Sequence, residues 1–493
     1  MTVSTHKIKI NLIVMEVSYM NPQTNLKDFI EYTYNELEDL NLKARSLVDP
    51  LKAKSEHIQA LEKEPRIKAV TVCFCDIEGR LHMLDYDRNF LLNSLDNLTF
   101  DGSSIRGFSE LHESDLRLIL DWTSLTYLPS DIFGAGKVAI FANIATRELQ
   151  PYESDFRGLL QQYAKEIQGS SGYEAFMAPE LEGFLFEGND AEQYYTSNEG
   201  FKPISTGGYF HALPLDNLRR FIDLTAEAQR AMGFRNEKDH PEVAPSQFEI
   251  NFSYTNAVRA CDQILLYKLV CRQVAHSLGM TATFLPKPVQ GLNGNGMHTN
   301  FSLAKNGKNI FYDKSGQDGL STLAWGFIDK LLNRASEISL VLNSSVNAYR
   351  RLDPNYEAPN QIKVSANDRG SMIRVPLGNQ HTARIEIRSV SPDANPYLLL
   401  YTILKTGLED RLPVANEKRQ RLRFLPININ DAIRLFRASD FMGEVMGEAS
   451  KNKYIHYKQA SAYRNPRELG TKIKDSEIIY HHEITNQYLW NSF

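Results

Sequence analysis

An α+β chain of two or three domains is what this sequence predicts, and three observations carry the prediction. With 493 residues it is too long for one simple core. Short β-type runs begin at Ile67 and are interrupted by turn-rich segments. Beyond Gln150, helical stretches alternate with strands that carry charge at every second position.

Residues 1–64 read as a helical extension. Apolar residues at Leu26, Phe29 and Ile30, then Leu37, Leu40 and Ala44, suit an amphipathic helix, and Asp49-Pro50 breaks it before a second helix ending near Pro65. The extension is expected either to pack on a neighbour or to stand off the body, with Met15 and Met20 as alternative starts. A small α+β domain follows over 65–150. Its strands are expected at Ala69 to Cys75 and Val138 to Ala145, around the turn-rich Thr99-Phe-Asp-Gly-Ser-Ser-Ile-Arg-Gly-Phe108. Residues 151–493 form the larger body, with helices expected over Glu153 to Gln168 and Asp216 to Met232.

Composition narrows the function. A net charge of -5 leaves no basic stripe to neutralise a phosphate backbone, which argues against nucleic acid as a partner. The 4 cysteines lack zinc-knuckle spacing, so they read as ordinary buried thiols of a reducing compartment. The apolar stretch Ile8 to Val17 contains Lys9 and Asn11 and falls short of the roughly 20 residues that span a bilayer. No small-residue cleavage site follows it, so the expected location is cytoplasmic, without membrane contact.

The chemistry lies in the body. Ala178-Pro-Glu-Leu-Glu-Gly-Phe-Leu-Phe186 reads as a strand on which Glu180 and Glu182 share one face. A solvated edge tolerates such a pair, whereas burial calls for a divalent cation to neutralise it. Glu242 and Glu249 lie in His240-Pro-Glu-Val-Ala-Pro-Ser-Gln-Phe-Glu249 at an odd spacing, so a break at Pro245 has to re-aim one of them if they converge. Asn293-Gly-Asn-Gly-Met-His298 is either a turn with a surface imidazole or a ligand-contacting loop followed by a metal ligand.

Ala383-Arg-Ile-Glu-Ile-Arg-Ser389 sets Arg384, Glu386 and Arg388 on one face and Ile385 and Ile387 on the other. That pattern fits a wet, ligand-filled cavity under a sheet, and an exposed ion-pair ladder would give it too. Arg350, Arg351, Arg369 and Arg374 add guanidinium forks that match phosphate or carboxylate oxygens. No Walker-type loop or dinucleotide fingerprint accompanies them, so a phosphate site would be built from side chains and cations.

Taken together, the segments resemble the glutamine synthetase family from about Ile67 to near the C-terminus. The resemblance rests on Phe100-Asp-Gly-Ser-Ser-Ile105, Ala178-Pro-Glu-Leu-Glu182, His240-Pro-Glu-Val-Ala-Pro245, Asn293-Gly-Asn-Gly-Met-His298 and Arg384-Ile-Glu-Ile-Arg388. Asn347-Ala-Tyr-Arg-Arg351 with Tyr356-Glu-Ala-Pro359 joins them. It implies a β-grasp-like small domain and a catalytic domain with a curved antiparallel sheet and surrounding helices. The implied activity is ATP-dependent ligation of ammonia to the γ-carboxylate of glutamate through a γ-glutamyl phosphate. The implied assembly is a dodecamer of two stacked hexameric rings.

Residue by residue, the resemblance implies one Mg2+ or Mn2+ site from Glu182, Glu242 and Glu249 and another from Glu180, His298 and Glu386. It assigns Asn293, Gly294 and Arg351 to glutamate and Arg388 to the reacting carboxylate. Arg369 and Arg374 fall to the ATP phosphates, with Tyr254, Ser302 and Arg384 as further nucleotide contacts. Asp101, reaching in from an adjacent subunit, would line the ammonium pocket with Ser104 and Tyr209 and accept a proton, and Glu357 would cover the site and take another. The sequence departs from the family pattern at Asn300, where a second histidine is frequent, at Asn367-Asp-Arg-Gly370, and at His381 in place of a lysine. No tyrosine lies between Tyr401 and Tyr454, so the adenylylated tyrosine loop of some bacterial members is expected to be absent. Two other readings remain open, a γ-glutamyl amide ligase that takes a larger amine and a non-catalytic scaffold of the same fold.

Overall fold

The computed structural model describes residues 31–105, 107–109, 114–191, 200–212, 216–411 and 422–462. Leu26, Phe29 and Ile30 of the expected first helix lie outside the described residues, as do Met15 and Met20. α1 (Tyr34–Ser46) begins at Thr33, whose hydroxyl accepts from the Glu36 N–H while the Glu36 carboxylate accepts from the Thr33 N–H. α2 (Pro50–Lys63) follows the Asp49 cap, with proline in the first turn where its missing N–H leaves no bond unmade.

These helices do not stand off the body. Leu37, Leu47, Ala53 and Leu61 join the core of the small sheet. The buried Asn41 amide accepts from the Tyr127 N–H and donates to the carbonyls of Tyr127 and Ala231. An amide buried this deeply fixes one docking geometry, because any shift leaves polar groups unpaired.

The small sheet contains β1 (Ala69–Cys75), β2 (Leu81–Asp87), β3 (Thr99–Asp101), β4 (Asp115–Leu120), β5 (Thr126–Tyr127) and β6 (Lys137–Ala145). Their order is β2-β1-β6-β4-β3 with β5 on β6, and β1 runs parallel to β6. α3 (Arg88–Asn93) and α4 (Ser130–Phe133) lie in its connections. β1 explains its unbroken apolar sequence by being buried on both faces. Val70, Val72 and Phe74 face the core shared with α1 and α2, and Cys73 and Cys75 face the core of the larger body as buried free thiols.

The body opens with α5 (Phe156–Ser171), β7 (Tyr173–Glu187), α6 (Asn217–Ala231), β8 (Asn236–Pro241), β9 (Gln247–Phe252), β10 (Thr255–Asn256) and α7 (Ala257–Ser277). β11 (Met280–Thr283), β12 (Met297–Lys305), β13 (Lys308–Asn309), α8 (Thr322–Leu342) and α9 (Val346–Arg351) follow. β14 (Gln361–Ser365), β15 (Ser371–Arg374), β16 (Ile385–Ile387), α10 (Pro396–Glu409), α11 (Ile429–Arg437), α12 (Asp440–Met446) and α13 (Glu448–Ala462) complete the described part.

The large sheet runs β14-β15-β16-β12-β7-β9-β8, with β10 and β11 also on β7 and β13 on β12. Apart from the parallel β14 and β15, its pairings are antiparallel. Residues of α5, α7, α8 and α10 make up much of the apolar core. Arg157 of α5 stitches the two parts together, pairing with Asp121 of the small domain and Asp262 of α7, each at 2.9 Å. Among the described residues no helix is long and apolar enough to cross a membrane.

Candidate active site

Strand register builds the site. Glu180 of β7 lies opposite His298 of β12, and Glu386 of β16 lies opposite Asn300, two residues further along β12. The His298 Nδ1 consequently stands 3.5 Å from Glu180 Oε2 and 3.7 Å from Glu386 Oε1. On the other flank of β7, Glu182 is paired with Glu249 of β9, which is itself paired with His240 of β8. Glu242 reaches the same place because the chain reverses between β8 and β9, with the Glu242 N–H bonded to the Gln247 carbonyl and Ser246 at φ 64°. A hairpin, rather than a kink in one strand, therefore brings Glu242 and Glu249 together.

Three side chains in each of two groups, Glu180 with His298 and Glu386, and His240 with Glu242 and Glu249, bring ligand atoms within 4.8 Å of one another. Two buried nitrogens, His298 Nδ1 and His240 Nε2, have no hydrogen-bond partner among the described residues. Orphaned imidazole nitrogens aimed into clustered carboxylates fit divalent cations, which would supply the missing bonds and neutralise the charge.

The electrostatics agree. Burial, then the charges of Glu182 and Glu249, push Glu242 up to about 9, and burial raises Glu182 as well. Burial works upward on Glu180 too, but the adjacent His298 imidazole, with the Asn300 amide, brings it down to about 2.

Arginines close the other side. Glu386 is gripped by Arg388 at 2.6 Å and Arg374 at 2.7 Å. Buried Arg351 donates to the carbonyls of Arg388 at 3.0 Å and Val390 at 3.2 Å. Gly294 and Gly296 make room for it. A Cβ at Gly296 would lie 2.6 Å from Arg351 Nη2 and 2.8 Å from His298 Nε2.

Two cavities meet here. One, of about 320 Å³, is lined by Glu180, Glu182, Glu242, Glu249 and His298, and also by Tyr209, Asn293, Gly294, Glu357 and Arg351, Arg369, Arg374 and Arg388. The other, of about 390 Å³, is lined by Tyr254, Ser302 and His381 among others, and the two share Glu180, Lys238 and Arg384. Asn300 spans the boundary, donating to Glu180 Oε1 at 3.1 Å and accepting from Arg384 Nε at 2.7 Å.

Most of the expected residues thus converge, but Asp101 and Ser104 do not. They sit in the small domain and line neither of these two cavities; the exposed Asp101 carboxylate accepts from the hydroxyls of Ser103 and Ser104 at 2.6 and 2.5 Å. Conversely, Lys238, His240 and Gln247 belong to the site without having been singled out. Lys238 and His240 are two apart on β8, so the alternation used for Glu180 and Glu182 would have found both.

A sheet that gathers carboxylates, imidazoles and arginines where two cavities meet defines an enzyme of the phosphoryl-transfer class, in which cations and guanidiniums offset the charge of a transferring group. Comparison with known proteins narrows the class. The family described as "Glutamine synthetase, catalytic domain" matches residues 153–474, and "Glutamine synthetase, beta-Grasp domain" matches residues 66–146. The glutamine synthetase of Methanosarcina mazei is 35% identical over 82% of this chain and 93% of its own length. That of Staphylococcus aureus (strain Mu50) is 36% identical over the same shares. A cryo-EM structure of Plasmodium falciparum glutamine synthetase shares the fold, with a TM-score of 0.74 at 21% identity over 85% of this chain and 98% of that one. A structure titled "GmaS/ADP complex" gives 0.73 at 24% identity over 85% and 99%. The chain belongs to the glutamine synthetase family and is a ligase.

Proposed function

We propose how this chain's residues divide the work of the family's reaction. As a member of the family it catalyses ATP-dependent glutamine formation, and the family uses ATP and divalent metals. The observation that carries the assignment is the Glu180, His298 and Glu386 group at the boundary of two cavities that share Glu180 and Arg384. One cavity takes glutamate and the other takes ATP, so the reacting carboxylate and the γ-phosphate meet at that boundary.

Glu180, His298 and Glu386 hold one Mg2+ or Mn2+ ion, and Glu182, Glu242 and Glu249 hold another, with His240 beside them. When bound, these ions supply charge neutralisation at the phosphates and orient the substrate carboxylate. Asn293, Gly294 and Arg351 bind glutamate. Arg369 and Arg374 bind phosphate oxygens, Arg388 steadies the reacting carboxylate, and Tyr254, Ser302 and Arg384 hold the nucleotide.

A carboxylate is a poor electrophile, so ATP converts it to the γ-glutamyl phosphate before nitrogen attacks. Ammonium has no lone pair to attack with. Asp101 of the partner subunit, beside Ser104 of the partner subunit and this chain's Tyr209, takes its proton. Glu357 closes over the cavity, excludes water and accepts a further proton as the adduct collapses. Because Asp101 and Ser104 line neither of their own chain's two cavities, each site needs a neighbour, which supports a homo-oligomer; the assembly proposed is a dodecamer of two stacked hexameric rings, in the cytoplasm. Separate domains over 65–150 and 151–493 follow the two sheets, with 1–64 as the extension.

Steady-state turnover with glutamate, MgATP and either ammonium or polyamines tests this reading. Glutamine formation from ammonium is expected, and turnover with amines alone would overturn it.

A further inference from the structure

We infer that a further cavity, between α1 and the larger body, is a binding site for a small anion presenting a carboxylate or a phosphate. It measures about 460 Å³, within the range of small-molecule sites, and shares no lining residue with the two active-site cavities. Arg45 of α1 and Arg259 of α7 line it.

Both guanidiniums are satisfied by neutral oxygens. Arg45 Nη2 donates to the Met232 carbonyl at 3.1 Å. Turned so that its amide oxygen faces Arg45, Gln263 accepts from both terminal nitrogens at 3.0 and 2.9 Å. Arg259 donates to the carbonyls of Arg45 and Thr123, each at 3.2 Å. Among the described residues neither arginine has a carboxylate within ion-pair distance. The nearby Asp121 and Asp262 are committed to Arg157, which bonds both. Glu174 and Lys165 complete the charged lining.

Neutral acceptors satisfy hydrogen bonds but leave the Arg45 charge without a paired anion, while the charges of Asp262 and Asp121 offset only part of the burial that lowers Arg259. Burial, followed by repulsion from Arg259 and Arg235, lowers Arg45 to about 9. An oxyanion gripped by two guanidinium forks would relieve that repulsion with charge-assisted bonds, while Leu125, Phe141 and Leu266 offer apolar surface to the rest of the molecule.

The site would also sit at the root of the catalytic sheet. Tyr173, Glu174 and Ala175 of β7 line it, and the same strand carries Glu180 and Glu182. Asn256 lines it while Tyr254, two residues earlier, lines the proposed nucleotide cavity. An occupant would therefore join α1 to the strand that holds two proposed metal ligands. Anion binding between Arg45 and Arg259 requires nothing of the metal ligands.

The test uses the full chain saturated with MgADP and titrated calorimetrically with sulfate and, separately, with succinate. Saturable binding of at least one probe is expected, weakened about tenfold or more by Arg45→Gln, as suits loss of a charge-assisted bond. The probe that binds tells a phosphate-like from a carboxylate ligand. Absence of saturable binding of either, or binding unchanged in Arg45→Gln, overturns the proposal. Should that variant not fold, crystals of the unaltered protein soaked separately in selenate and in succinate decide the matter. An anomalous selenium peak or succinate density between Arg45 and Arg259 is expected, and a cavity featureless in both soaks refutes the site.

Discussion

Glu180 and His298 face each other at paired positions of β7 and β12, with Oε2 and Nδ1 3.5 Å apart and the imidazole nitrogen otherwise unbonded. If that nitrogen is a metal ligand, His298→Ala should weaken Mn2+ binding by more than the about 10–100-fold lost when an outer partner of a ligand is removed. Paramagnetic resonance of free Mn2+ measures this, with circular dichroism to check folding. Unchanged affinity would remove His298 from the site.

Asn300 ties Glu180 to Arg384 across the boundary of the two cavities. Asn300→Ala should raise the KM for ATP about tenfold, equivalent to about 1.4 kcal/mol, and change the KM for glutamate far less. Equal rises in both would mean a general disturbance instead.

Glu357 sits at φ 63° after the turn Pro354–Tyr356 and borders the smaller cavity. Glu357→Ala should lower glutamine formation by about 10²–10⁴-fold, the usual worth of a positioned acid or base, while nucleotide affinity stays the same. Glu357→Gly relieves the left-handed backbone yet should be equally inactive. Activity in the glycine variant alone would show that strain, and not the carboxylate, matters.

Lys287 holds the same turn. Its ammonium lies 3.7 Å from the centre of the Tyr356 ring and donates to the Leu292 carbonyl, while Asn293 Nδ2 donates to the Tyr356 carbonyl at 3.4 Å. Burial lowers Lys287 from 10.5 to about 8, with Asp353 opposing and Arg351 adding to the shift. The stacked cation is therefore present below about pH 8 and lost above it. Above that pH, ADP released per glutamine should rise as water reaches the acyl phosphate, and Lys287→Arg should move the rise to higher pH. Folding stability from this group has the opposite sign. The unfolded chain keeps the proton up to 10.5, so stability increases between about 8 and 10.5. A coupling ratio flat with pH would contradict the latch.

Asn41 anchors α1 through three buried hydrogen bonds to Tyr127 and Ala231. Asn41→Ala should cost about 2–4 kcal/mol, since buried backbone groups lose their partners. Denaturant unfolding measures the loss, and a change near zero would return the helices to the standing of a loose appendage.

Strand alternation made much of the site legible. Arg384, Glu386 and Arg388 alternate with the fully buried Ile385 and Ile387, and the periodicity separates the charged face from the core face without telling a cavity from an exposed ion-pair ladder. What it does not carry is pairing between strands distant in sequence. Nothing local says that Glu182 will lie opposite Glu249, or that a reversal after Pro241 will turn Glu242 inward. The docking of α1 was illegible for the same reason, because Asn41 reads as a polar break in an amphipathic helix until its partners Tyr127 and Ala231 are in view. Asp101 and Ser104 show the limit of a single chain, in which their own cavities do not reach them.

Diffraction from crystals grown with Mn2+, recorded at the manganese edge, tests the central claim most directly. Two anomalous peaks are predicted in each chain, one among Glu180, His298 and Glu386 and the other among Glu182, Glu242 and Glu249. Peaks elsewhere, or none at saturating Mn2+, would contradict it.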